Sequence, residues 1–369
     1  MKRRRFLKTA GVGALAASLV STTRAWGQAS SYRWKMVTSW PPGFPILQEG
    51  AERFAKLVDE LSQGKLKIEV FAGGVLVPAL GVFDAVSAGN VECGSTASYY
   101  WAGKVPSVQL FTAQPFGFMV EQMNAWLLAG GGLELWNEIY AKSNLVAVPL
   151  MNTGQQMAGW FRKEIKSPED VKGLKFRTAG LGGKVMAKLG CAVQLLPGAE
   201  IVPALEKGAI DAAEWVGPAH DQRLGFPKVA KYYYYPGWAE PSAQTELMIN
   251  KKTWENLPKE LKGIVLAAAA EVTSWAIAQF DVQNALALAE IKKQFPDVQV
   301  KRLPESVLKA LRKATEEVMA EETAADKTGD FKRVWDAYLK FRAQMDDYNA
   351  IQYLYRYDEY AALWLPKVK

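Results

Sequence analysis

The side chains able to do covalent or metal chemistry are scarce in this 369-residue sequence. There is one histidine, His220, and there are two cysteines, Cys93 and Cys191. A Cys-His or Ser-His nucleophilic pair would have to draw on that single imidazole, and a zinc site has almost no ligands to choose from. Two cysteines are also too few for a disulfide scaffold, and both are expected to be free and buried. The glycine motifs are equally thin. Gly11-Val12-Gly13 imitates a dinucleotide fingerprint within an apolar leader, and Gly180-Leu181-Gly182-Gly183-Lys184 lacks the spacing and hydroxyl of a phosphate loop. It opens a predicted helix, where turn formation accounts for the glycines, although a helix N-terminus also attracts anions. What remains is Arg177, at the end of a predicted strand. Its planar fork matches a carboxylate, with charge-assisted hydrogen bonds of about 1.5–3 kcal/mol each. For a lone strand-end arginine a surface ion pair is the default reading.

The elements around it alternate. Residues 33–39 and 66–72 read as strands, with an amphipathic helix over 46–61 between them. The rhythm returns in strands over 146–151, 174–178, 193–196 and 210–215. This predicts an α/β fold with mostly parallel sheets. Tyr232 to Tyr235 reads as a sheet segment rather than a stacking platform, since alternate residues face opposite sides. After Lys251 the pattern is helical, with one or two long helices over 254–295, a strand over 298–303, and helices over 306–324 and 331–364. The last carries aromatics at helical spacing. About 340 residues exceed one ordinary core, so two lobes are expected.

A ten-residue repeat sharpens that expectation. Residues 85–94 (AVSAGNVECG) match 204–213 (ALEKGAIDAA) position by position. Each reads as a helix end, a glycine cap and a short strand. If the two are equivalent, each lobe presents a strand end toward the cleft, which is where α/β sheets bind ligands. The residues that follow, 95–101 and 214–217, then become candidate pocket wall.

The run Lys166-Ser167-Pro168-Glu169-Asp170-Val171-Lys172-Gly173-Leu174-Lys175-Phe176-Arg177 resembles the signature of the solute receptors of TRAP (tripartite ATP-independent periplasmic) transporters. The likeness continues through Gly190, Gln194-Leu195-Leu196-Pro197, Glu200, Ala204-Leu205 and Gly208 to Ala212-Ala213-Glu214-Trp215, and it covers essentially the whole chain after the leader. Thr38-Ser39-Trp40-Pro41, Gln155-Gln156, Glu214-Trp215 and the C-terminal helix make it most similar to the branch that binds 2-oxo and 2-hydroxy monocarboxylates. The resemblance implies a two-lobed fold of the Venus-flytrap type with long helices and a helical C-terminal extension. The implied ranges are 30–152 mainly for the first lobe, 153–250 mainly for the second, 251–325 for connecting helices and a strand returning between lobes, and 326–369 for a C-terminal helix that pairs two chains into a homodimer.

By the same resemblance Arg177 pairs with the substrate carboxylate, and the substrate also chelates a cation held by Gln156, Glu214, the Trp215 carbonyl and Glu240. Gln156 and Trp215 would touch the substrate as well, and Trp40, Tyr99 and Tyr100 would line it, although core packing is an equal reading for those three. Oxygen-only ligation suits a hard ion. Arg177, two carboxylates and the bound acid sum to −2. Calcium would neutralise that charge and sodium would leave −1, so calcium is favoured and sodium is the alternative. Were Gln244 the last ligand in place of Glu240, the sum would shift by one and point to sodium.

Arg3-Arg4-Arg5-Phe6-Leu7-Lys8, an apolar stretch over 10–20 and Gly27-Gln28-Ala29 read as a twin-arginine export signal over residues 1–29 and so predict a periplasmic protein. The apolar stretch is far shorter than the ~20 residues a spanning helix needs. The segment carries six basic residues and no acid, so its removal lowers the formal charge from +7 to about +1 and takes away the case for nucleic acid. The expected partners are a monocarboxylate and the membrane subunits of a TRAP transporter. An exported enzyme of small organic acids and a ligand-sensing module are the competing classes. The missing cofactor motif and the missing base beside a nucleophile count against the enzyme.

Overall fold

The computed structural model describes residues 31–353, so the predicted export signal and the last aromatics of the C-terminal helix lie outside the described residues. The first lobe is built from β1 (Tyr32–Thr38), α1 (Leu47–Leu61), β2 (Leu66–Phe71), α2 (Val82–Ser87), β3 (Cys93–Thr96), α3 (Val120–Ala129), α4 (Gly132–Ala141) and β4 (Leu145–Asn152). The chain then crosses to β5 (Gly159–Phe161), β6 (Lys175–Arg177), α5 (Gly180–Lys188), β7 (Ala192–Gln194), α6 (Gly198–Glu206), β8 (Ala212–Ala213), α7 (Pro218–Leu224), α8 (Phe226–Val229) and β9 (Tyr232–Tyr235). It returns through β10 (Gln244–Asn250) and α9 (Lys251–Asn256), and ends in α10 (Lys259–Gln294), β11 (Gln299–Arg302), α11 (Glu305–Ala325) and α12 (Asp330–Tyr353).

These strands form a five-stranded sheet in the order β2-β1-β3-β10-β4 and a six-stranded sheet in the order β11-β9-β5-β8-β6-β7. Both are mixed rather than mostly parallel. β1 runs parallel to β2 and β3, and β6 to β7 and β8, but β10 and β5 are antiparallel to both of their neighbours. The antiparallel strands adjoin two of the places where the chain passes between the sheets, β4 to β5 and β9 to β10, and a third passage runs from β10 through α10 to β11. Residues 244–250, expected mainly with the second lobe, pair within the first sheet instead. The polar start Gln244-Thr245-Glu246 hides this strand from a periodicity reading, although all seven of its residues are buried. Glu246 is tolerated there because the Tyr140 hydroxyl donates to its Oε1 at 2.9 Å.

Both repeat copies close with the same bonds. In the first, Gly89 N–H donates to Val86 O and Asn90 N–H to Ala85 O. In the second, Gly208 N–H donates to Leu205 O and Ala209 N–H to Ala204 O, at distances of 2.9–3.1 Å. These are Schellman caps, whose glycine must take positive φ, here +74° and +68°. Each cap feeds a central strand, β3 in one sheet and β8 in the other.

The long helical stretch after Lys251 divides at Leu257-Pro258, because proline cannot supply an N–H to a continuing helix. α10 is long and apolar enough to cross a membrane by length and composition. It spends its apolar face on the protein itself, with Val265, Ala268, Val272, Ala276, Phe280 and Ile291 buried with the core of α1 and both sheets. On the other side, Phe111 stacks between Trp126 and Trp136 at 5.4 and 5.1 Å, and α12 adds Phe331, Val334 and Tyr338 to that core. Cys93 and Cys191 are free and buried in different lobes, as expected.

Candidate functional site

Arg177 closes β6 and is 1 % exposed, so it is no surface ion-pair partner. Its Nε donates to Leu196 O at 3.1 Å, its Nη1 donates to Glu214 O at 2.6 Å, and its guanidinium lies 4.9 Å from the centre of the Trp215 ring. Nη2 is buried with no partner. Two carbonyls and an indole therefore fix the plane of the fork and leave one edge free, as a carboxylate receptor requires. The indole itself needs Gly198, where a Cβ would come within 2.6 Å of the ring.

Glu214 leaves β8 and turns its Oε2 to the Thr178 hydroxyl at 3.2 Å, while its Oε1 is buried and unpartnered. Gln156 and Glu240 come from two of the crossover segments, β4 to β5 and β9 to β10. Gln156 Nε2 donates to Glu240 Oε2 at 3.0 Å and to Thr153 Oγ1 at 3.1 Å, leaving Oε1 buried and unpartnered. Burial drives the Glu240 carboxyl up to about 7, against the pull of Arg177, Gln156 and Tyr99. Glu214 is raised well above the usual carboxylate range, first by burial and then by the neighbouring Glu240, with Arg177 and Thr178 opposing. Two carboxylates in one dry cleft resist ionising together unless a cation joins them.

The first lobe supplies the opposite wall. Tyr99 and Tyr100 follow β3, pack edge to face with ring centres 4.8 Å apart, and stay protonated hydroxyl donors at neutral pH. Burial raises both, Tyr100 to about 12. Beside them a groove of about 300 Å³ opens along Thr178, Gly180 and Leu195. Trp40 is buried in the same apolar cluster as Trp215, with its indole N–H donating to Ser95 Oγ at 3.1 Å. Gln244 is committed elsewhere. Its amide donates to Met151 O and Thr245 O, and its Oε1 accepts from Asn152 Nδ2 at 3.3 Å.

Of the residues named from sequence, Arg177, Glu214, Trp215, Gln156, Glu240, Tyr99 and Tyr100 thus come together between the lobes, while Trp40 shares only the apolar cluster of Trp215. Sequence reasoning missed the residues behind them. Thr178, adjacent to Arg177, was within reach of a strand-end argument. Asp221 and the interlobe pair Phe44 and His220 carry no motif. Phe44 of the first lobe stacks on His220 of the second at 4.6 Å and meets the Trp215 ring at 6.1 Å, while His220 Nε2 bonds Pro45 O at 2.8 Å. Among the described residues no cluster of three or more His, Cys, Asp or Glu exists, so a metal here would rely on amide and main-chain oxygens as well as the two carboxylates. The unpartnered Gln156 and Glu214 oxygens fit that demand for a hard ion.

Two lobes joined by more than one crossover, with a buried arginine fork and unpartnered oxygens between them, define an extracytoplasmic-type solute receptor. The match to the bacterial extracellular solute-binding protein family 7 (DctP) spans residues 36–326. The chain belongs to that family, the solute receptors of TRAP transporters, and is a binding protein rather than an enzyme. It is 43 % identical over 98 % of its length to the monocarboxylate 2-oxoacid-binding periplasmic protein of Nostoc sp., 99 % of which is covered. Among solved structures it is similar to a TRAP transporter solute-binding protein from Bordetella bronchiseptica, a dimer with copurified calcium and picolinate. That likeness has 40 % identity and TM-score 0.87, covering 90 % of this chain and 98 % of that one. A TRAP periplasmic solute-binding protein from Pseudoalteromonas atlantica, with bound sodium and pyruvate, is 38 % identical with TM-score 0.85, covering 89 % and 100 %.

Proposed function

We propose that this receptor captures a 2-oxo or 2-hydroxy monocarboxylate of the pyruvate class together with a cation and delivers it to TRAP membrane subunits. The observation that carries the reading is the set of buried, unpartnered polar atoms facing one cleft: Arg177 Nη2, Gln156 Oε1 and Glu214 Oε1. Each costs free energy until it finds a partner, and a carboxylate with an adjacent oxygen, plus one cation, supplies all three. Arg177 grips the carboxylate. Gln156, Glu214, the Trp215 carbonyl and Glu240 hold the cation, with Gln156 and Trp215 also against the substrate, and Trp40, Tyr99 and Tyr100 close the wall. The full commitment of Gln244 to its own strands supports Glu240 as the last ligand. Two carboxylates, one arginine and one bound acid sum to −2, which favours calcium over sodium.

The relatives' names and bound ligands support the same substrate class, since pyruvate and a 2-oxoacid each pair a carboxylate with a neighbouring oxygen. Residues 1–29 read as a twin-arginine leader, which would deliver the folded receptor to the periplasm, and the C-terminal helix is the proposed homodimer element. Chelator-treated protein titrated calorimetrically with pyruvate should bind tightly with calcium, more weakly with sodium and weakest with neither. Equal affinity in all three conditions would end the cation part of the reading.

A further inference from the structure

The Trp215 carbonyl, the one main-chain ligand in the proposed cation set, belongs to the peptide group it shares with the Val216 N–H. That group is planar and trans, so its C=O and N–H point to opposite sides, and whatever holds the N–H aims the carbonyl. The holder is Asp221. Its Oδ1 accepts from Val216 N–H at 3.4 Å, and the side chain is 1 % exposed. The carboxylate is fixed in turn from behind. Its Oδ2 accepts from Trp160 Nε1 at 2.9 Å and from the Tyr233 hydroxyl at 2.8 Å. These two donors sit opposite each other in the β5–β9 register, with rings stacked at 4.0 Å. The Asp221 N–H bonds Gly217 O at 2.9 Å in the first turn of α7, which sets where the side chain starts. On its far edge the same segment is held by Met157, next to Gln156, whose N–H donates to Val216 O at 3.1 Å. The strand end that carries the carbonyl is therefore clamped on both sides, and one clamp is a buried acid whose two oxygens are both taken by protein donors.

We propose that Asp221 is a positioning residue of the cation site, which aims the Trp215 carbonyl by holding the Val216 N–H and is itself locked by Trp160 and Tyr233. The inference rests on the cation reading above and extends it beyond the ligands. Asp221→Asn keeps the shape but sets an amide against donors, so the side chain must turn and the Val216 N–H is released.

The test measures calcium titration into pyruvate-saturated protein by calorimetry, and the calcium-induced shift in melting temperature without pyruvate. For Asp221→Asn the calcium needed for half-saturation should rise about tenfold or more, the usual range for loss of a group that orients a metal ligand. Pyruvate affinity at saturating calcium should stay within about twofold of wild type, a split that general loosening of the fold would not give. Trp160→Phe and Tyr233→Phe keep Asp221 and loosen it, so each should raise the calcium requirement by a smaller factor, and they decide the matter should Asp221→Asn not fold. An unchanged calcium requirement in a folded Asp221→Asn, or in both of the other variants, overturns the proposal. So does an equal loss of pyruvate affinity at saturating calcium. Wild-type protein indifferent to every cation would instead overturn the reading on which this proposal stands.

Discussion

Arg177 shows how much of the proposed binding site one residue type can determine. Its guanidinium is oriented by Leu196 O, Glu214 O and the Trp215 ring, so the free edge is preorganised before any ligand arrives. Arg177→Lys would keep the charge but lose the fork and the stacking. Pyruvate affinity should fall by roughly a hundredfold or more, about 3 kcal/mol, since one of two charge-assisted bonds and the fixed geometry go together. Calorimetry of the folded variant checks this, and a loss below about threefold would mean that the carboxylate sits elsewhere. This residue was legible in the sequence because the run from Lys166 to Phe176 ends on it. Glu214 and Trp215 were legible because they follow the second repeat copy. Asp221 was not, since a buried hydrogen bond between residues five positions apart leaves no periodic trace.

At the scale of elements, the repeat carried more structural information than any strand propensity did. Its two copies became two Schellman caps feeding the central strands, one in each sheet. The antiparallel strands β5 and β10 were invisible for physical reasons, one being three residues long and the other beginning with three polar residues. The meeting of the 41–46 segment with α7 was also unreadable, and it gives the lobes a titratable contact. His220 is fully buried between Phe44 and Phe280, donates to Pro45 O, and is held down to about 4 by burial, below its ordinary 6.5. The unfolded chain therefore takes up the proton first. The stability of this contact is complete above pH 6.5 and is lost as pH falls toward 4, by up to about 3 kcal/mol. Asp221, Glu214 and Glu240 titrate nearby with shifts of the opposite direction, but they are common to wild type and His220→Gln. Urea midpoints of the two proteins should therefore differ progressively less as pH is lowered from 7 to 4. Parallel curves would show that the imidazole does not titrate with folding.

For the whole molecule, the cleft residues are distributed over both lobes and the segments between them. Tyr99 and Tyr100 come from one lobe, Arg177 and Glu214 from the other, and Gln156 and Glu240 from two of the segments that cross between them. The C-terminal helix is the proposed homodimer element, and here the structure refines what composition suggested. The first half of α12 packs on its own chain, where Phe331, Val334 and Tyr338 are fully buried and Tyr338 lies 4.1 Å from the Phe118 ring. Farther along, Tyr348 and Ile351 are 56 % and 66 % exposed. The intrachain part of the aromatic stripe thus ends near Phe341, which meets Phe118 edge to face at 5.8 Å. Exposed apolar residues beyond that point are what a helix offers to a partner. A cut at Asp330 would strip the receptor's own core, whereas a chain ending at Met345 keeps Phe331, Val334 and Tyr338 and removes a mostly exposed stretch in which Asn349 is buried. Light scattering should show the full-length receptor as a dimer and the shortened chain as a monomer with unchanged pyruvate affinity. A shortened chain that remains a dimer would place the interface on another surface. A shortened chain that loses pyruvate binding while still folded would mean that the outward half of α12 supports the cleft itself.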